Sequence, residues 1–163
     1  MEVIGFHLDD VLDLAIQMET TGAEYYELAA KSTPQASARL MLNGLAAMEK
    51  AHKAAFISLK DRRGIGAPAG DSDVDATVSS FLASWLDGEV FDRDREKTLE
   101  VARSGAMAGV LRVAIRMEKD SIALYTGLKE YAAADEAEAI LDGIIKDELR
   151  HVADLNSAFR ELK

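Results

Sequence analysis

From residue 8 to residue 31, apolar or small side chains at Leu8, Leu12, Ala15, Gly22 and Tyr26 keep the three- and four-residue spacing of one helix face. This predicts a first long helix. A second follows in STPQASARLMLNGLAAMEKAHKAAFISLKDRRG, where Thr33 suits the N-cap, Pro34 suits the first helical position, and basic residues precede Gly64. Two further long helices are read over 106–133 and 135–162. Short links within each pair imply two antiparallel hairpins. Residues 64–105 begin with the glycine-rich break GIGAPAG and continue through DATVSSFLASWL and DREKTLEVARSG, which read as one or two shorter helices. A structureless loop of that length does not suit a compact domain. A long second connection is what a bundle needs when its second hairpin starts at the end opposite to where the first finished. Phe81, Leu82, Trp85 and Leu86 are expected to pack this crossover onto the bundle or onto a second subunit. The expectation is an all-α, antiparallel four-helix bundle, one domain over 1–163, with 64–105 as the crossover.

The apolar stripes are interrupted by titratable groups. Glu19 sits in the middle of the first, the second contains MEKAH with Glu49 and His52, the third contains Glu118, and the fourth contains DELRH with Glu148 and His151. These interruptions repeat. A shift of 99 residues carries Glu19 onto Glu118, Glu49 onto Glu148 and His52 onto His151, and also Ala15, Ile16, Met18 and Tyr26 onto Ala114, Ile115, Met117 and Tyr125. The chain is an internally duplicated hairpin, each copy holding one lone glutamate and, thirty residues on, a Glu-x-x-His.

In an antiparallel hairpin, residues equidistant from the turn lie at one height. The turn near 32–34 is midway between Glu19 and Glu49, and the turn near 133–135 is midway between Glu118 and Glu148. Residues three apart share a helix face, so each Glu-x-x-His points both groups the same way. Pairing the hairpins gathers four carboxylates and two imidazoles. Such a cluster is costly as bare buried charge. Two divalent cations balance four carboxylates with both imidazoles neutral, and two ferric ions with one oxide balance them as well. The ligand set suits iron and also manganese, cobalt or zinc. A lone Glu-x-x-His is usually a solvated pair; two copies at matched spacing, each with its upstream glutamate, are not.

Composition narrows the chemistry further. With 29 acidic against 19 basic residues and a net charge of −10, the chain repels nucleic acid and anionic membrane surfaces. It has no cysteine, so thiolate metal sites, disulfides and a cysteine nucleophile are excluded. Any metal is held by oxygen and nitrogen. The first residues, MEVIGFHLDD, lack the pattern of a secretory signal, and no apolar run is long enough to span a bilayer, so a soluble, cytoplasmic protein is expected. Tyr26 and Tyr125 lie seven residues after Glu19 and Glu118. They read either as partners of those carboxylates, able to pass a proton or electron to bound oxygen species, or as core tyrosines with locally satisfied hydroxyls. Tyr25 reads as packing and His7 as exposed or capping. Asp147 could orient an imidazole, but Met48 occupies the matching position of the other repeat, which favours a surface role. The six methionines read as core filler.

The two glutamates and two Glu-x-x-His motifs resemble those of the ferritin-like di-iron carboxylate proteins, and within them the chain looks most like the rubrerythrin domain, over all four long helices. That resemblance implies that Glu19 and His52 serve one metal, Glu118 and His151 the other, and that Glu49 and Glu148 bridge the two. It also implies reduction of hydrogen peroxide, and often a homodimer. Two features depart from the rubrerythrin pattern. Ser121 stands where an additional glutamate follows the ligand of the third long helix, leaving a more symmetric site similar to that of a bacterioferritin. The cysteine-ligated rubredoxin centre is missing, so electrons must come from a separate donor protein or a reductant. Lys50 stands where bacterioferritin carries its haem-binding methionine. The leading expectation is therefore a di-iron redox enzyme acting on peroxide or oxygen. The alternatives are a ferroxidase that handles iron, and a non-catalytic bundle whose metals only neutralise buried carboxylates.

Overall fold

The computed structural model describes residues 7–66, 76–87 and 90–162, among which there are six helices and no strand. They are α1 (Leu8–Ser32), α2 (Ala36–Asp61), α3 (Ala76–Asp87), α4 (Val90–Arg103), α5 (Met107–Lys129) and α6 (Asp135–Glu161). Helix α1 packs chiefly on α2, and α5 on α6, forming the two hairpins. The crossover contains two helices: α4 lies mainly along α1, and α3 along α5 and α1. Residues 67–75, which include the end of the glycine-rich break and Pro68, lie outside the described residues.

Two boundaries differ from the periodicity reading. Thr33 does not cap α2. It ends α1 in an extended conformation, its amide bonded to the Ala29 carbonyl at 3.1 Å, and α2 starts after Gln35. The cause is Pro34, which disfavours helical backbone at the residue before it and so holds Thr33 extended. Helix α5 stops at Lys129 rather than near 133. There the chain leaves the helix to pair with the end of the first hairpin: Gly66 donates to the Tyr131 carbonyl (3.0 Å) and Ala133 to that of Gly64 (2.8 Å), around an antiparallel bridge between Ile65 and Ala132. These backbone groups exchange helical bonds for bonds that tie the two hairpins together.

Where α4 hands over to α5, Gly105 has φ +67°, and a Cβ there would stand 2.8 Å from the Ser32 carbonyl oxygen. Only glycine meets both conditions without strain.

The core is divided by a polar layer. One apolar cluster gathers Leu12, Ala15, Phe56, Leu124, Leu128 and Leu141; the other gathers Tyr25, Leu42, Leu99, Val110, Leu111 and Leu155. Leu82 is fully buried in the first cluster, and Val78, Trp85 and Leu86 pack against it, so the crossover seats on the bundle of its own chain. Burying a leucine such as Leu82 contributes about 2 kcal/mol. Among the described residues no helix is long and apolar enough to cross a membrane.

Candidate metal centre

Between the two apolar clusters the bundle gathers all six groups singled out by the duplication. Glu19 comes from α1, Glu49 and His52 from α2, Glu118 from α5, and Glu148 and His151 from α6; none is more than 5% exposed. Each occupies a core-facing position because it follows the spacing of its apolar neighbours: Ala15, Glu19, Gly22 and Tyr26 are successive members of one α1 stripe, all buried.

Glu148 stands between the two rings. Its Oε1 lies 2.9 Å from Nδ1 of His52, and its Oε2 lies 2.9 Å from Nδ1 of His151. The outer glutamates repeat this relation: Oε2 of Glu19 is 3.7 Å from Nδ1 of His52, and Oε2 of Glu118 is 3.6 Å from Nδ1 of His151. The imidazole centroids are 5.9 Å apart, with planes inclined by 30°. Donor atoms fall into two groups, each within 4.8 Å: Glu19, Glu49, His52 and Glu148, and Glu49, Glu118, Glu148 and His151. Glu49 and Glu148 belong to both. Gly22 makes room for the former, since a Cβ at that position would come within 3.1 Å of the Glu49 carboxyl carbon.

Both tyrosines reach the layer from the opposite hairpin. Tyr26 on α1 donates to Oε1 of Glu118, and Tyr125 on α5 donates to Oε1 of Glu19. Each hydroxyl thus occupies one oxygen of an outer carboxylate while the second oxygen faces an imidazole. Burial, reinforced by the neighbouring carboxylates, raises the pKa of both phenols well above the ordinary value, so they remain proton donors. Tyr25 points elsewhere and donates to the Val110 carbonyl at 2.8 Å, as a packed core tyrosine does. His7 is exposed at the N-cap of α1, without a side-chain capping bond.

Considered without a metal, the cluster controls its charge by binding protons. Burial pushes Glu49 well above the usual carboxylate range, with Glu19 and the other carboxylates adding to the effect. Burial also raises Glu118 to about 8, against the pull of His151. For Glu148 burial is outweighed by the hydrogen bond with His151 and by the close approach of the His52 ring, which together lower its pKa. Burial opposes the charged imidazoles, but Glu148 and Glu19 raise His52 to about 10, and Glu118 and Glu148 raise His151 to about 9. Burial thus favours the neutral form of Glu49 and Glu118, while Glu148 keeps its negative charge between the two imidazoles.

Protons do not satisfy every atom. Glu19 Oε2, Glu148 Oε1 and both nitrogens of His52 are buried without a hydrogen bond. All four belong to residues of one donor group, and three of them, Glu19 Oε2, Glu148 Oε1 and His52 Nδ1, are the atoms that approach one another at 2.9 and 3.7 Å. Lone pairs converging from carboxylates and imidazole are what a cation of intermediate hardness takes up, and each such atom left unpaired costs about 1–3 kcal/mol. The residues fit a metal.

Asp147 is the group whose part the duplication obscured. It is half-buried rather than a free surface residue: Oδ2 lies 3.5 Å from Nε2 of His52, and Oδ1 accepts from Arg150 Nη1 at 2.6 Å. No spacing within α6 signals this contact, because His52 lies on the other hairpin. Beside Glu49 and Glu118, a narrow cavity of about 10 Å³ is lined by these two and by Met18, Gly22, Tyr26, Met117 and Ser121. Lys50 turns outward and pairs with Glu27.

Two solved structures share this architecture. A Thermotoga maritima protein assigned to the ferritin-like diiron-carboxylate proteins is 22% identical, with 97% of each chain covered and a TM-score of 0.69. A hypothetical protein from Pyrococcus furiosus is 18% identical over 98% of this chain and 92% of its own, with a TM-score of 0.67. The chain matches no family model and no curated protein. The fold is that of the ferritin-like diiron-carboxylate proteins, an all-α four-helix bundle with a helical crossover.

Proposed function

We propose that this protein is a dinuclear iron carboxylate enzyme that reduces hydrogen peroxide in the manner of a rubrerythrin. The observation that carries the proposal is the sharing of Glu49 and Glu148 between two donor groups, each completed by one outer glutamate and one imidazole. In this reading Glu19 and His52 hold one ion, Glu118 and His151 the other, and the two shared glutamates bridge. Two ferrous ions held there would supply the two electrons that, with two protons, reduce one peroxide to two waters.

The surrounding residues have definable tasks. Tyr26 and Tyr125 fix the outer carboxylates by occupying one oxygen of each and keep their protons at neutral pH. The cavity beside Glu49 and Glu118 has room for about one water-sized molecule, which favours a small oxidant such as peroxide or oxygen. Leu124, Phe56 and Leu155, buried on either side of the layer, limit bulk water. The 163 residues contain no cysteine, and in this proposal a separate donor protein or a reductant returns the ions to the ferrous state. A cytoplasmic homodimer belongs to the same proposal.

The test is to load metal-free protein anaerobically with Fe(II), mix it with hydrogen peroxide and separately with oxygen, and follow oxidation by stopped-flow absorbance. Much faster oxidation by peroxide is the expected result. Preference for oxygen would replace the proposal with iron oxidation and handling, and reaction with neither would leave a bundle that uses metal only as a structural counter-charge.

A further inference from the structure

We infer that the two metal positions are unequal, and that Asp147 makes the one served by His52 the tighter. The inference rests on the dinuclear reading and goes beyond it, because the duplication that built the site is broken at one place. The 99-residue shift that carries His52 onto His151 carries Met48 onto Asp147, and Ala51 onto Arg150. One imidazole therefore has a carboxylate at its outer edge, itself held by an arginine. By the same repeat, the residue that stands to His151 as Asp147 stands to His52 is Met48, a thioether.

The consequence follows from imidazole chemistry. Both rings turn Nδ1 toward the carboxylates of the layer. A metal on Nδ1 leaves the single ring proton on Nε2, and the acceptor that receives this N–H fixes ring orientation and raises the basicity of the bonded nitrogen. His52 Nε2 is buried, has no hydrogen bond, and faces Oδ2 of Asp147 at 3.5 Å. Asp147 is held in place through the 2.6 Å bond from Arg150 to its other oxygen. A thioether is a weak acceptor, so Met48 cannot do the same for His151. Asp147 is thus a positioning residue that acts through His52, and it belongs to the hairpin opposite the ring it serves.

The experiment is calorimetric titration of metal-free protein with Co(II), with the visible spectrum followed in parallel. Wild-type protein is expected to bind two ions in resolved steps, and His52→Ala should remove the tighter one. Losing a residue at the outer edge of a ligand typically weakens metal binding by about 10- to 100-fold. Asp147→Ala should weaken the tighter step by that factor and leave the second within about threefold. Met48→Asp, in otherwise wild-type protein, should tighten the weaker step, a gain that general loosening of the fold cannot produce. Two equal steps in wild-type protein, or a gap that survives Asp147→Ala, would overturn the inference while leaving the dinuclear reading intact. Binding of fewer than two ions would remove the dinuclear reading itself.

Discussion

The Tyr125 hydroxyl on α5 crosses the bundle to donate to Glu19 on α1, and the duplication repeats this bond in reverse between Tyr26 and Glu118. The two bonds join the hairpins at the level of the polar layer. Removing either hydroxyl leaves a buried carboxylate oxygen without its donor, which costs about 1–3 kcal/mol. Tyr125→Phe and Tyr26→Phe should therefore each lower Tm by a similar amount, about 2–10 °C for a chain of this size. Both variants should still bind two metal ions, since neither hydroxyl belongs to a donor group. Thermal melts beside metal analysis decide the matter, and a variant that melts like wild type would show that its hydroxyl is not needed.

Glu49 and Glu148 differ from the outer glutamates in belonging to both donor groups. Alanine at either should abolish most binding of two ions, whereas Glu19→Ala should spare the position served by His151. Metal content after gel filtration distinguishes the two outcomes. Two tightly bound ions in Glu49→Ala or Glu148→Ala would refute the bridging assignment.

Gly22 offers a finer probe of the same carboxylate. A Cβ at that position would come within 3.1 Å of the Glu49 carboxyl carbon and 3.2 Å of its Oε2. Glu49 would have to retreat by a few tenths of an ångström. Alanine is also the better helix former, by about 1 kcal/mol within a helix, so the fold itself is offered a compensating gain. Gly22→Ala should keep the Tm of metal-free protein close to wild type and weaken metal binding measured by titration. Unchanged affinity would show that Glu49 has freedom the structure does not display.

Much of this site was legible in the sequence because a helix bundle translates spacing directly into position. Glu19, Glu49, His52, Glu118, Glu148 and His151 were singled out by interrupted apolar stripes and by the 99-residue repeat, and the structure brings all six together. The symmetric pairing of Tyr26 with Glu118 and of Tyr125 with Glu19 was not legible, since spacing within a hairpin says nothing of how two hairpins face each other. Asp147 was obscured for the same reason: its contact is with His52 on the other hairpin, and comparison with Met48 pointed away from it. The boundary at Thr33 was misread because a proline suits the start of a helix while also forcing the residue before it into extended backbone. The early end of α5 depends on backbone pairing between residues 64–66 and 131–133, which no local pattern encodes.

The ionisation of the cluster predicts how metal removal depends on pH. In the folded, metal-free protein, Glu118 is raised to about 8, His151 to about 9 and His52 to about 10, while Glu49 is raised well above its ordinary value. Groups whose folded pKa exceeds the unfolded one bind more protons in the folded state, so their contribution is full at low pH and is lost as pH rises through the folded values. Metal-free protein should lose stability steadily from about pH 5 to about pH 10. Glu148 has the opposite sign, because its folded pKa is lowered; its contribution is present above the ordinary carboxylate value near 4.5 and is lost as pH falls, so stability should decline again in strong acid. Metal binding competes with the same protons and strengthens as they leave. The Tm difference between metal-loaded and chelator-stripped protein should thus be small at pH 5.5 and large at pH 8. Parallel melts at the two pH values test this, and a difference that is absent at pH 8, or that shrinks as pH rises, would mean that these buried groups are not the ones the metal binds.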